Sequence, residues 1–225
     1  MPRSVSTVAT FAPVRAGLLV SDIHARIREA ILTGRVAPGQ ALRDSTVAEQ
    51  MRVSRSPVRE ALRMLEQSGL VTKEPNKPYV VVEFDANDVR ELAGMRTALE
   101  TLAVRLIVHR GEPTSGFGDE LDALRRAVDG GEASTIVRAD RRFHRAVVDA
   151  AGNSRLTSSY DGLRDQIVLA MLSTDAPARG HVGLVERHVE LAALLAEAIT
   201  SRDATEVVAR FERHILDGMD CAGLF

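Results

Sequence analysis

The chain has 225 residues, 45% hydrophobic and 27% charged, enough for one large domain or two small ones; this excludes a mainly disordered, collagen-like or coiled-coil chain. A lone cysteine, Cys221, excludes an internal disulfide framework and fits a cytoplasmic setting; no apolar run nears the roughly 20 residues of a membrane helix, and MPRSVSTVATFAPVR lacks the apolar core of a signal peptide. The net charge of −2 disfavours nucleic acid only until it is divided: residues 1–82 hold 12 basic and 7 acidic side chains, net +5, and residues 83–225 hold 17 and 24, net −7.

Residues 1–16 show no sustained period and are expected to form a flexible arm. Ile23, Ile27, Ala30 and Ile31 recur at helical spacing from about Val20, until Gly34 and the Pro38-Gly39 turn. A short helix is predicted over Asp44–Met51, with Val47, Ala48 and Met51 on one face. Ser54 can cap the next, through Gln67, with Pro57 tolerated in its first turn. Val58, Ala61, Leu62 and Leu65 form its apolar face, and Gly69 ends it. The period then changes. Leu70–Thr72 and Tyr79–Val82 are β-rich runs around KEPNKP, a hairpin that must pack on the helices because it could not stand alone. Residues 17–83 therefore read as a winged helix-turn-helix.

Beyond Glu83 every segment reads helical. Asp85 can cap a long helix to about His109, with Val89, Leu92, Ala93, Arg96, Leu99, Ala103 and Leu106 on its stripe. Further helices are expected near 117–129, 132–151, 154–174, 182–201 and 204–220, with Asp203 and Glu206 as an acidic capping box. The fold class is mainly α: the winged head, then an all-α bundle of about six helices over residues 84–225.

A recognition helix enters the major groove N-terminus first, so its first two turns read bases. Here those turns expose Arg55, Ser56 and Arg59 behind Ser54. Arginine can read guanine O6 and N7 with two hydrogen bonds, and a helix N-terminus with serine hydroxyls suits phosphate. An ordinary arginine-bearing surface helix would show the same spacing.

Ile27, Ile31, Gly34, Pro38 and Gly39, then Ala48, SRSPVREAL at 54–62 and EQSGLV at 66–71, follow one another in order. In these motifs residues 19–82 resemble the GntR family of bacterial transcription regulators. The resemblance implies DNA contacts by Ser54, Arg55, Ser56, Pro57 and Arg59, with Arg43 reaching phosphate. Two positions depart from the family pattern. Arg52 replaces the usual Gly or Asn of the motif turn and carries strain of roughly 1–3 kcal/mol if left-handed. Pro78 replaces the wing-tip Gly, which removes the case for backbone contact there and leaves Lys77 for phosphate.

Asp140 and His144, four apart, share one helix face with Phe143, Val147, Val148 and Ala151. His188 and His214 also fall on apolar stripes. One inward carboxylate and three inward imidazoles can form a first-row metal site inside a bundle, yet core histidines are also commonly structural; spacing leaves both readings open. His24 and His109 are expected at the surface, and His181, seven before His188, could line the same cavity.

Arg96 and Glu100, D-x₂-FH at 140–144, AAGN at 150–153, ERH at 186–188 and His214 follow in that order. In these motifs the region resembles the FCD ligand-binding domain of the FadR subfamily. The resemblance implies that Asp140, His144, His188 and His214 hold a divalent ion, with Zn²⁺ and Ni²⁺ both suited to imidazole-rich sites. Arg96 either pairs with an effector carboxylate or with Glu100. The expectation is a ligand-responsive regulator, a repressor rather than an enzyme. It would act as a homodimer on a palindromic operator, with a small carboxylate effector and no membrane partner. Two rivals are a bundle that only dimerises and a metal-dependent enzyme joined to a DNA-reading head; no separate general base is evident for the latter.

Overall fold

The computed structural model describes residues 17–111, 117–173 and 182–221, so the expected arm and His181 lie outside the described residues. The head consists of α1 (Gly17–Leu32), β1 (Ala41–Leu42), α2 (Asp44–Met51), α3 (Arg55–Gln67), β2 (Val71–Lys73) and β3 (Tyr79–Val81). Ile23, Ile27 and Ile31 of α1 and Val58, Ala61, Leu62 and Leu65 of α3 are buried in one cluster, as their spacing requires. Tyr79 and Val81 point their alternate side chains into the same core.

The sheet has one strand more than the hairpin predicted. Its order is β1-β3-β2, antiparallel, with Ala41 and Thr72 on either side of Val80. Two residues cannot display a period, which is why the sequence hides β1. The Gly39 turn, with φ +73°, delivers it to β3, where the Gly39 N–H donates to the Val81 carbonyl at 3.0 Å.

The bundle consists of α4 (Ala86–Arg110), α5 (Phe117–Gly130), α6 (Ala133–Ala150), α7 (Ser154–Leu172), α8 (Leu184–Ser201) and α9 (Thr205–Gly218). Asp85 and Asp88 form a reciprocal capping box at the start of α4. The expected box at Asp203 and Glu206 does not form. Ala204 takes the cap position of α9, and Asp203 accepts instead from the Thr205 N–H at 2.9 Å. Helix α4 also differs from its predicted single stripe. It packs against α6, α7, α8 and α9, so Thr97, Glu100, Thr101 and Val104 are buried as well, while Leu99 and Leu106 are only partly so. The solvent side of α4 carries Met95 and Leu102 while Thr97, Glu100 and Thr101 lie inside, so apolar spacing alone does not mark its buried face.

Head and bundle share apolar packing. The cluster that holds α1 and α3 continues into Val89, Leu92 and Ala93 of α4, Ile167 to Met171 of α7, and Leu216 of α9. His24 is half-buried rather than at the surface, and burial, then Arg28, pushes its pKa down; His109 is exposed as expected.

Arg52 ends α2 with φ 55° and ψ 44°, the left-handed conformation that its β-carbon disfavours. Arg52→Gly should therefore raise stability in urea unfolding by about 1 kcal/mol; an unchanged or lowered midpoint would mean that the turn carries no strain.

Candidate functional site

Helix α3 is anchored by its buried face and turns Arg55, Ser56 and Arg59 outward, all exposed; Pro57 is partly buried in the first turn. Both arginines converge on Asp44, the first residue of α2. Arg55 Nη2 donates to Asp44 Oδ1 at 3.0 Å, and Arg59 donates to Oδ2 from Nη2 at 2.9 Å and Nε at 3.2 Å. The hydrogen bond from Arg59, helped by that from Arg55, holds the Asp44 carboxyl below its usual range against the opposing effect of burial. Two flexible cations are thus set side by side at the N-terminal end of α3. Sequence reasoning missed Asp44, because only the helix-turn-helix crossing brings it to residues 11 and 15 positions away.

Ser54 occupies the cap position of α3 in extended conformation, but its side chain makes no capping hydrogen bond. The expected cap is therefore one of position only, and the hydroxyl remains available beside the first N–H groups of the helix. Arg43 is exposed at the cap position of α2, one residue before Asp44. Lys77 lies in the turn between β2 and β3 and pairs with Glu74 at 2.6 Å, both exposed.

In the bundle, α6 supplies Asp140 and His144, α8 supplies His188 and α9 supplies His214. Their donor atoms all lie within 4.8 Å of one another. His144 and His188 are fully buried, and Asp140 is 4% exposed. Two ring orientations are fixed from behind. His144 Nδ1 lies 2.6 Å from Glu100 Oε2, and His188 Nδ1 lies 2.8 Å from the Leu184 carbonyl. Each Nδ1 facing such an acceptor carries the proton, so each Nε2 presents a lone pair to the cluster. His188 Nε2 is 3.0 Å from Asp140 Oδ1 without a hydrogen bond, and His144 Nε2 is 3.3 Å from His214 Nε2. Electron-rich atoms this close, out of water, need a proton or a metal ion among them. The residues fit a divalent cation.

Electrostatics support the same assignment. Burial, with Arg96 nearby, lowers the His144 pKa to about 4, although Glu100 and Asp140 act the other way. Burial, then His144 and His188, pushes His214 well below its ordinary value. Burial would raise Asp140, but the His144 and His188 side chains and Arg96 outweigh it and hold the carboxylate ionised. His144 and His214 are therefore neutral imidazoles beside the Asp140 carboxylate, the protonation states that bind metal.

Glu100 organises the other side of His144. It is fully buried and accepts from Arg96 Nε at 2.9 Å, Arg141 Nη2 at 3.2 Å and the Tyr160 hydroxyl at 2.8 Å. The internal Arg96–Glu100 pair weighed from the sequence is thus present, and Arg96 Nη2 also stands 3.6 Å from Asp140. The roles of Arg141 and Tyr160 were not read from the sequence, since neither pattern nor spacing marks the partner of a buried charge.

A winged head with an ordered pair of arginines, joined to a bundle with an enclosed polar cluster, defines a two-part DNA-binding protein. Residues 19–81 match the bacterial regulatory proteins of the gntR family, and residues 91–217 match the FCD domain. The chain belongs to the GntR family of transcription regulators and carries a C-terminal FCD domain. The relative named "Uncharacterized HTH-type transcriptional regulator YdhC", of Bacillus subtilis (strain 168), is 30% identical over 149 residues, 65% of this chain and 66% of its own length. The Gluconate operon transcriptional repressor of the same organism is 27% identical over 140 residues, 61% of this chain and 57% of its own. A GntR transcriptional regulator from Rhodococcus sp. RHA1 shares the fold with a TM-score of 0.77 at 22% identity, covering 89% of this chain and 95% of that one. The family and these relatives regulate transcription and are not enzymes. Among the described residues no helix is long and apolar enough to cross a membrane.

Replacing Glu100 by Gln keeps the shape and removes the charge that Arg96 and Arg141 face. Glu100→Gln should cost about 3–5 kcal/mol in chemical unfolding, the usual cost of stranding buried charge; a loss under about 1 kcal/mol would show that the cluster tolerates the imbalance.

Proposed function

We propose that this regulator is a repressor acting as a homodimer, with a DNA-reading domain over residues 17–83 and an effector-binding and dimerisation domain over residues 84–225. Its bundle holds a divalent ion, Zn²⁺ or Ni²⁺, beside a site for a small carboxylate effector. The observation that carries this reading is the convergence of Asp140, His144, His188 and His214, with His144 and His188 each oriented to offer Nε2. These four side chains would hold the ion. When bound, it supplies a fixed positive centre for an anionic effector. Arg96, buried beside Asp140, is the side-chain cation assigned to the effector carboxylate, and His181 is assigned to the same cavity on sequence spacing.

Arg55 and Arg59 are assigned to base edges. Arg43, Ser54, Ser56, Pro57 and Lys77 are assigned to the backbone and to fitting the groove. The exposed Met95 and Leu102, seven apart on α4, support an apolar contact between two copies. A dimer with two-fold symmetry calls for a palindromic operator. The name of the gluconate-operon relative supports repression as the mode.

Elemental analysis of protein purified without an affinity tag should find close to one divalent ion per chain. His144→Ala or His188→Ala should lose it, and full occupancy in both variants would defeat the metal reading. On operator DNA, Arg55→Ala and Arg59→Ala should each weaken binding by about 1–3 kcal/mol in a fluorescence anisotropy titration. Wild-type affinity in both would remove these arginines from base readout.

A further inference from the structure

A second cavity lies where the head meets the bundle. It has a volume of about 380 Å³, within the range of small-ligand sites, and no residue of the histidine cluster lines it. Its walls come from α1, α6 and α7. They carry six arginines, Arg28, Arg138, Arg141, Arg142, Arg145 and Arg164, against one acid, Asp165. Leu32 and Val168, both buried, add an apolar patch.

The neighbouring carboxylates do not use up these guanidiniums. Arg28 is bound to Asp165, Arg138 to Glu29 at 2.6 Å, and Arg145 to Asp149 and Asp161 at 2.9 and 3.0 Å. Among the described residues Arg164 has only a 3.6 Å contact with Asp165, which Arg28 already engages. Arg142 makes no hydrogen bond or ion pair among the described residues and stands exposed at the rim. Arg141 is 2% exposed; its Nη2 donates to Glu100 at 3.2 Å and its Nη1 stands 3.8 Å from Asp140, but neither Nε nor Nη1 makes a hydrogen bond among the described residues. A buried guanidinium with N–H donors to spare, lining a cavity ringed by further arginines, has room for a further acceptor.

We propose that this seam is a binding site for a small organic anion bearing a phosphate or several carboxylates. The forked geometry of arginine matches both groups, and the Leu32–Val168 patch accommodates a short carbon skeleton. Arg28 belongs to the head, while Arg141, Arg142 and Arg164 belong to the bundle. An anion there competes with Asp165 and Glu29 for the two ion pairs that tie α1 to α7 and α6. Its binding is thereby coupled to how the head is seated on the bundle. The proposal does not depend on metal at the histidine cluster.

The test is isothermal titration of the full-length, metal-replete protein at constant ionic strength with two probes, 3-phosphoglycerate and tricarballylate. One probe at least should bind saturably at one site per chain. Arg142→Ala and Arg164→Ala, both exposed and therefore safe for folding, should each weaken that binding roughly tenfold. The expected result for His214→Ala is unchanged affinity. Absence of saturable binding by both probes overturns the proposal. So does binding that survives both arginine substitutions but is lost in His214→Ala, which would move the anion to the histidine cluster. Equal heats from sodium sulfate at matched ionic strength would show an unspecific cationic surface and overturn it as well.

Discussion

The carboxylate of Glu100, at the middle of α4 and out of contact with water, is the interaction on which the bundle depends. It accepts hydrogen bonds from Arg96 on its own helix, Arg141 and His144 on α6, and Tyr160 on α7. Burial alone would raise its pKa; His144, Arg96 and Arg141 outweigh that and keep it ionised. His144 itself is neutral near pH 7, so the two guanidiniums supply the standing charge. A buried ion is tolerated only when its neighbours satisfy every lone pair, and three helices must be in register to do so. The same bond fixes the tautomer of His144, so the packing of the bundle and the chemistry of the histidine cluster are one arrangement.

Arg141 extends that arrangement outward. It touches Glu100 and Asp140 on one side and lines the cavity at the head on the other. The head is not an independent bead on a string, because its apolar cluster runs on into α4, α7 and α9. Ion pairs at the rim, Arg28 with Asp165 and Glu29 with Arg138, complete the join. A change in the polar interior of the bundle therefore has a short physical route to α3, the helix that carries Arg55 and Arg59. The route consists of packed side chains and charge pairs rather than a linker.

The division of charge reads differently once the chain is folded. The head has a surplus of cations, as the count by segment requires, but its two foremost arginines are already paired with Asp44. The bundle carries net −7, yet five of its arginines line one cavity facing the head. Net charge by segment bears on the type of partner, whereas the location of individual charges decides where an anion can dock.

The helices were legible because one-sided burial leaves a period: α1, α3, α6, α8 and α9 lie close to where apolar spacing and glycine stops put them. The winged class, the family and the four convergent side chains were also legible, the last because i, i+4 spacing puts Asp140 and His144 on one face whatever the fold. What the sequence could not contain is the content of contacts between segments. The two-residue strand β1 is too short for a pattern, and α4 buries Thr97, Glu100 and Thr101 while it exposes Met95 and Leu102, so its apolar spacing misplaces its inner face. Asp44 reaches Arg55 and Arg59 only through the crossing of two helices. Glu100 is marked only by its spacing from Arg96, and Arg141 looks like an ordinary surface charge until α4, α6 and α7 pack together. Periodicity records which way a side chain faces; the partner it meets there is set by tertiary packing, which determined the orientation of the histidines and the cationic seam.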